Sequence, residues 1–147
     1  FSIPFMFAGL VWGCMYIYFG EKYAGLIPLL YGFFSFLSLL YFRFTRQFGI
    51  YRFSQLLLII LLPFALMTAL GGFVNGSAVI LWALISPLGA MLLDKPKKAP
   101  AWFLAYVCLV VISGVPTPLT SVPNKLTATQ IELFFVLNFL GVGSLIF

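Results

Sequence analysis

The chain has 147 residues, of which 63% are hydrophobic, 19% aromatic and only 7% charged, with a net charge of +5. A water-soluble fold of this size cannot hide so much apolar surface, and an ordinary soluble domain carries about 25% charged residues, so the composition places the chain in a bilayer. The eight lysines and arginines are scattered rather than gathered in a stripe, which excludes a nucleic-acid binder. Histidine is absent, which leaves little to build a metal centre from.

A membrane helix needs about 20 apolar residues, with a working range of about 17 to 25. Six stretches meet or approach that length: residues 3–19, 23–42, 53–70, 74–93, 101–115 and 131–147. None shows the two-residue alternation of a membrane strand. The expectation is therefore an all-α membrane protein, a bundle of six transmembrane helices.

The first helix carries Gly9 and Gly13 at the G-x-x-x-G spacing, which lets two helix backbones approach closely, either inside one bundle or between two subunits. Cys14 follows and Cys108 lies in the fifth helix; without a C-x-x-C or C-x-x-H spacing both read as small apolar fillers. The loop after the second helix holds Arg43, Arg46 and Arg52, and the third helix contains Pro63. Next comes an uncharged hairpin, LGGFVNGSAVILW, Leu70 to Trp82.

In that hairpin Gly71 and Gly72 suit a helix end and a reversal, and Asn75 or Ser77 suits the cap of the fourth helix. A second reading has Asn75, Ser77, Trp82 and Ser86 lining an outward-facing ligand pocket, with Asn138 of the sixth helix as a further contact. Asn138 also reads as interhelical glue, since a buried amide in a membrane helix pairs with a neighbour. The fourth helix contains Pro87 and ends in a turn with Lys95, Lys97 and Lys98. Before the sixth helix, TQIE has the capping-box spacing, with Thr129 as the cap and Glu132 three positions on.

Basic residues near helix ends stay on the cytoplasmic side. The second loop holds Arg43, Arg46 and Arg52 and the fourth holds Lys95, Lys97 and Lys98, while the odd loops carry only Lys22 beside Glu21, no charge, and Lys125. Even loops then face inward, six crossings result, and both termini are cytoplasmic. Phe1 and Phe147 read as cuts in a longer chain, of which residues 1–147 form one membrane module.

The catalytic inventory is nearly empty: there is no phosphate-binding glycine loop, no H-E-x-x-H, no G-x-S-x-G and no close pair of carboxylates. No catalytic residue, metal ligand or cofactor site is expected within these residues.

The stretches ALGGFVNGSAVILWALISPLGAMLL, APAWFLAYVCLVVISG and ELFFVLNFLGVGSLIF, from about Ala69 to Phe147, resemble the six-helix membrane region that precedes the catalytic domain of bacterial class III adenylate/guanylate cyclases. Similar regions precede some sensor histidine kinases. The resemblance implies a multi-pass anchor and receptor in the bacterial inner membrane, with the bilayer, a second copy of the chain and an unidentified membrane or extracytoplasmic ligand as partners. It also implies a cyclase domain beyond residue 147 that uses ATP or GTP with Mg or Mn. That family's metal-binding aspartates would lie there too, so Asp94 is not one of them, and the resemblance assigns no functional residue in this stretch. A histidine-kinase input region is the alternative, and a small transporter or channel a more distant one.

Overall fold

Runs rich in Leu, Phe, Ile and Ala, without strand-like alternation, favour helix. Every regular element among the described residues is helical. A computed structural model describes residues 2–93, 96–114 and 124–146, so Lys95 and the expected helix ends Val115 and Phe147 lie outside the described residues. The helices are α1 (Ser2–Tyr18), α2 (Lys22–Thr45), α3 (Phe48–Ala69), α4 (Ile85–Leu93), α5 (Ala99–Gly114) and α6 (Ala128–Ile146). A 3₁₀ segment, Val79–Leu84, leads into α4, and a short 3₁₀ turn, Pro96–Lys98, leads into α5. By length and composition α2, α3 and α6 are able to cross a membrane, while α1, the Val79–Leu93 rod and α5 are apolar but shorter.

Two boundaries move from their expected places. α2 runs on to Thr45 and α3 begins at Phe48, so Arg43 and Arg52 are helical rather than in a loop. The reversal is made by Arg46, left-handed at φ 58°, whose N–H bonds the Phe42 carbonyl at 2.8 Å.

The continuous helix expected over residues 74–93 does not form. Ser77 and Ala78 both sit at φ 52°, a left-handed conformation through which a right-handed helix cannot propagate. Regular structure begins only with the 3₁₀ segment, whose cap residue is Ala78 with no side-chain capping bond. The expected caps act otherwise: the Asn75 side chain donates back to the Gly71 carbonyl at 3.4 Å, and the Ser77 hydroxyl donates to Ile131 of α6 at 2.8 Å. Pro87 falls in the first turn of α4, where its missing N–H leaves no gap in the helix.

Gly71 and Gly72 do end α3. They take φ 89° and 98°, and their N–H groups return to the Thr68 and Met67 carbonyls at 3.2 and 3.0 Å, the paired bonds of a Schellman motif. At α6 the reciprocal cap is two residues earlier than expected. Thr127 N–H donates to Gln130 Oε1 at 2.9 Å and Gln130 N–H to Thr127 Oγ1 at 3.3 Å, whereas Thr129 and Glu132 are exposed within the helix.

The connections sort to two ends. At one, Glu21 accepts a hydrogen bond from the Lys125 backbone, and the Asn124 amide donates to the Leu70 and Asn75 carbonyls at 2.9 and 3.1 Å. At the other, Arg52 Nη1 donates to the Leu93 carbonyl at 3.3 Å, and the Ser2 hydroxyl lies 2.8 Å from that of Tyr51. Arg43, Arg46, Arg52, Lys97 and Lys98 all belong to this second end. Between the ends the surface is apolar, with Phe7, Phe33, Phe103, Val111, Val136 and Leu140 exposed. Cys14 and Cys108 are exposed on it too rather than packed inside.

α1 and α2 lie backbone against backbone. A Cβ on Gly13 would come within 2.9 Å of the Gly25 carbonyl, and one on Gly25 within 2.7 Å of the Gly13 carbonyl. The Gly9–Gly13 face is therefore used inside the chain, against α2, and is not available as the subunit-pairing surface also considered for it.

Candidate functional site

In an apolar bundle a carboxamide is the strongest neutral hydrogen-bonding group, so its partners decide which elements are held together. Asn138, fully buried on α6, accepts on Oδ1 from the indole N–H of Trp12 in α1 at 2.9 Å and of Trp82 in the 3₁₀ segment at 3.0 Å. Its Nδ2 donates to the Ser77 carbonyl at 2.9 Å. The Ser77 hydroxyl, in turn, donates to Ile131 one turn into α6. Three groups, two indole N–H donors and one backbone carbonyl, from α1, the 3₁₀ segment and the hairpin thus converge on one amide of α6.

The helix carrying Asn138 also makes room for its partners. Gly141 is one turn further on, and a Cβ there would meet Trp82 Cζ2 at 2.7 Å and Cη2 at 3.1 Å. The Trp82 ring lies over this glycine and meets Trp12 edge to face at 5.4 Å between centroids. Toward the hairpin the core continues with Tyr16 stacked on Phe134 at 4.2 Å. The left-handed Ser77 and Ala78 point the Ser77 carbonyl and hydroxyl at α6, which explains why a helix start was given up there.

On the other side of the tryptophans is a cavity of about 70 Å³ between α1, α2, α3 and the 3₁₀ segment. Its walls include Phe5, Trp12, Pro28, Tyr31, Pro63 and Trp82, and they are almost wholly apolar. Pro28 and Pro63 lie inside α2 and α3, where neither can donate the backbone bond of an ordinary residue.

Of the five residues expected to form a ligand pocket, Ser77, Trp82 and Asn138 do come together, but they bond one another. Ser86 is separate: it is fully buried and donates to the Leu56 carbonyl of α3 at 2.8 Å. Asn75 stays in the hairpin. The five do not share one outward-facing pocket; Asn75 alone of them lines an open groove, with Gly71, Gly72 and Ser113. Sequence reasoning missed Trp12, whose only signal was an indole within an otherwise aliphatic G-x-x-x-G segment. It also missed Gln55, fully buried on α3 and accepting from the Ser35 hydroxyl of α2 at 2.8 Å. No group of three or more histidine, cysteine or acidic side chains able to hold a metal is found among the described residues.

Compared with protein-family models, with curated proteins and with solved structures, the chain has no match.

Proposed function

We propose that the chain is a six-crossing membrane input module of a bacterial signalling enzyme, with both termini cytoplasmic, the output being a class III adenylate/guanylate cyclase domain beyond residue 147. The observation that carries the input role is the Asn138 hub. It joins α1 and the hairpin to α6, so any displacement at the hairpin end is handed to the last helix of the module.

The three shorter rods are compatible with crossing. At 1.5 Å per residue α1 and α5 reach about 25 Å, and the 3₁₀ segment, rising about 2.0 Å per residue, brings Val79–Leu93 to a similar length. A bilayer of about 30 Å accommodates a modest shortfall by thinning. Arg43, Arg46, Arg52, Lys97 and Lys98, together at one end, favour that end as cytoplasmic. A transporter or channel is disfavoured because the mid-bundle amides and serines, Asn138, Gln55, Ser86 and Ser35, are spent on internal bonds rather than lining a path.

The test uses the full-length protein in membranes. Cyclic nucleotide should form from ATP or GTP, and inserting one, two or three residues after Phe147 should change that output with helical periodicity. Formation of a phosphohistidine in place of cyclic nucleotide would replace the cyclase with the kinase reading. A flat response to insertion would contradict transmission through α6.

A further inference from the structure

We propose that the cavity beside the Asn138 hub seats the acyl chain of a bilayer lipid. Chain occupancy is then what the module reports, an inference that rests on the membrane reading above. Its depth is right for hydrocarbon. Ile27 to Tyr31 lie five to nine residues into α2, or about 8–14 Å from the hairpin end at 1.5 Å per residue, within the roughly 15 Å half-thickness of a bilayer.

The lining chemistry selects the same occupant. The indole N–H groups of Trp12 and Trp82 are turned to Asn138, leaving their apolar rings as walls. A water needs two to four polar partners, and among the wall side chains only the Tyr31 hydroxyl is a buried polar group without one; a charged or sugar-like solute needs more. Ala8, Ile27 and Leu62 in the wall are only half-buried, so the cavity is not sealed from the surface of the bundle.

The walls are also held apart. A Cβ on Gly9 would lie 2.8 Å from the Pro28 carbonyl, so α1 and α2 are already in backbone contact there and cannot close further. Trp82 is fixed by its hydrogen bond to Asn138 and by its seat on Gly141. A chain entering the cavity therefore presses on the same two rings that hold α6.

Contact quenching tests this. With Trp102→Phe, Trp12 and Trp82 are the tryptophans left within residues 1–147. The full-length protein is placed in phosphatidylcholine vesicles whose chains carry bromine at mid-chain. The expected result is loss of more than half of the emission from these two residues relative to unbrominated vesicles. Ala8→Phe and, from the opposite wall, Leu62→Phe should each restore at least twofold of it.

Emission as bright as in unbrominated lipid, or quenching unchanged in both folded variants, overturns the proposal. So does quenching seen only when a free brominated fatty acid is added to unbrominated vesicles, since the occupant is then not a bilayer lipid. Periodic output after insertion at Phe147 without quenching removes the chain site and leaves the signalling reading standing. Quenching with flat output does the reverse.

Discussion

Asn138 ties α1, the hairpin and the 3₁₀ segment to α6 through one side chain. Replacing it with leucine leaves two part-buried indole N–H groups and the Ser77 carbonyl without their partner. Interhelical bonds in membranes average about 0.6 kcal/mol each and orphaned donors add to the loss, so Asn138→Leu should lower unfolding free energy by about 2–3 kcal/mol. Chemical unfolding in detergent measures it. Gly141→Ala should cost about 1–3 kcal/mol by pushing Trp82 off its seat, whereas Gly143→Ala, with nothing within 4 Å of the added Cβ, should be neutral or slightly stabilising. Equal effects at the two glycines would contradict the seat. That Asn138 is interhelical glue could be read from an amide alone in an apolar run. That its partners are Trp12 and Trp82, 126 and 56 residues away in the chain, could not, because only the three-dimensional path brings those indoles together.

At the level of elements, helix ends divide into those fixed by local chemistry and those fixed by neighbours. Gly71 and Gly72 were legible, since two positive-φ residues at a helix end need glycine and little else. The start of α6 was legible only as a choice, because TATQIE contains two overlapping capping patterns, Thr127 with Gln130 and Thr129 with Glu132. Tertiary contacts select the first: Leu126 is buried in the core, and Asn124 is pinned to Leu70 and Asn75, which fixes where the chain turns into the helix. Thr127→Ala or Gln130→Ala should therefore destabilise by about 1 kcal/mol, and Thr129→Ala or Glu132→Ala should be close to neutral. The reverse pattern in thermal unfolding would restore the later cap. The broken fourth helix was not legible, because its apolar run promises continuity and the left-handed Ser77 and Ala78 are justified only by bonds to α6.

Across the whole molecule, the apolar exterior and the segregation of connections to two ends follow from composition and loop charge, and these were the most readable features of the sequence. The candidate site was the least readable. Of the polar residues expected to line a pocket, Ser77, Trp82 and Asn138 bond one another and Asn75 and Ser86 bond backbone carbonyls, while the space beside the tryptophans is an apolar cavity, which leaves no mark in a linear pattern. The proposed function requires the module to have sides, with its basic end cytoplasmic. Cysteine labelling tests this most directly: with Cys14 and Cys108 replaced by alanine, Lys97→Cys and Lys125→Cys place one thiol at each end of the bundle. In intact cells a membrane-impermeant maleimide should modify the Lys125→Cys protein at once and the Lys97→Cys protein only after permeabilisation. Labelling of Lys97→Cys in intact cells would contradict the account.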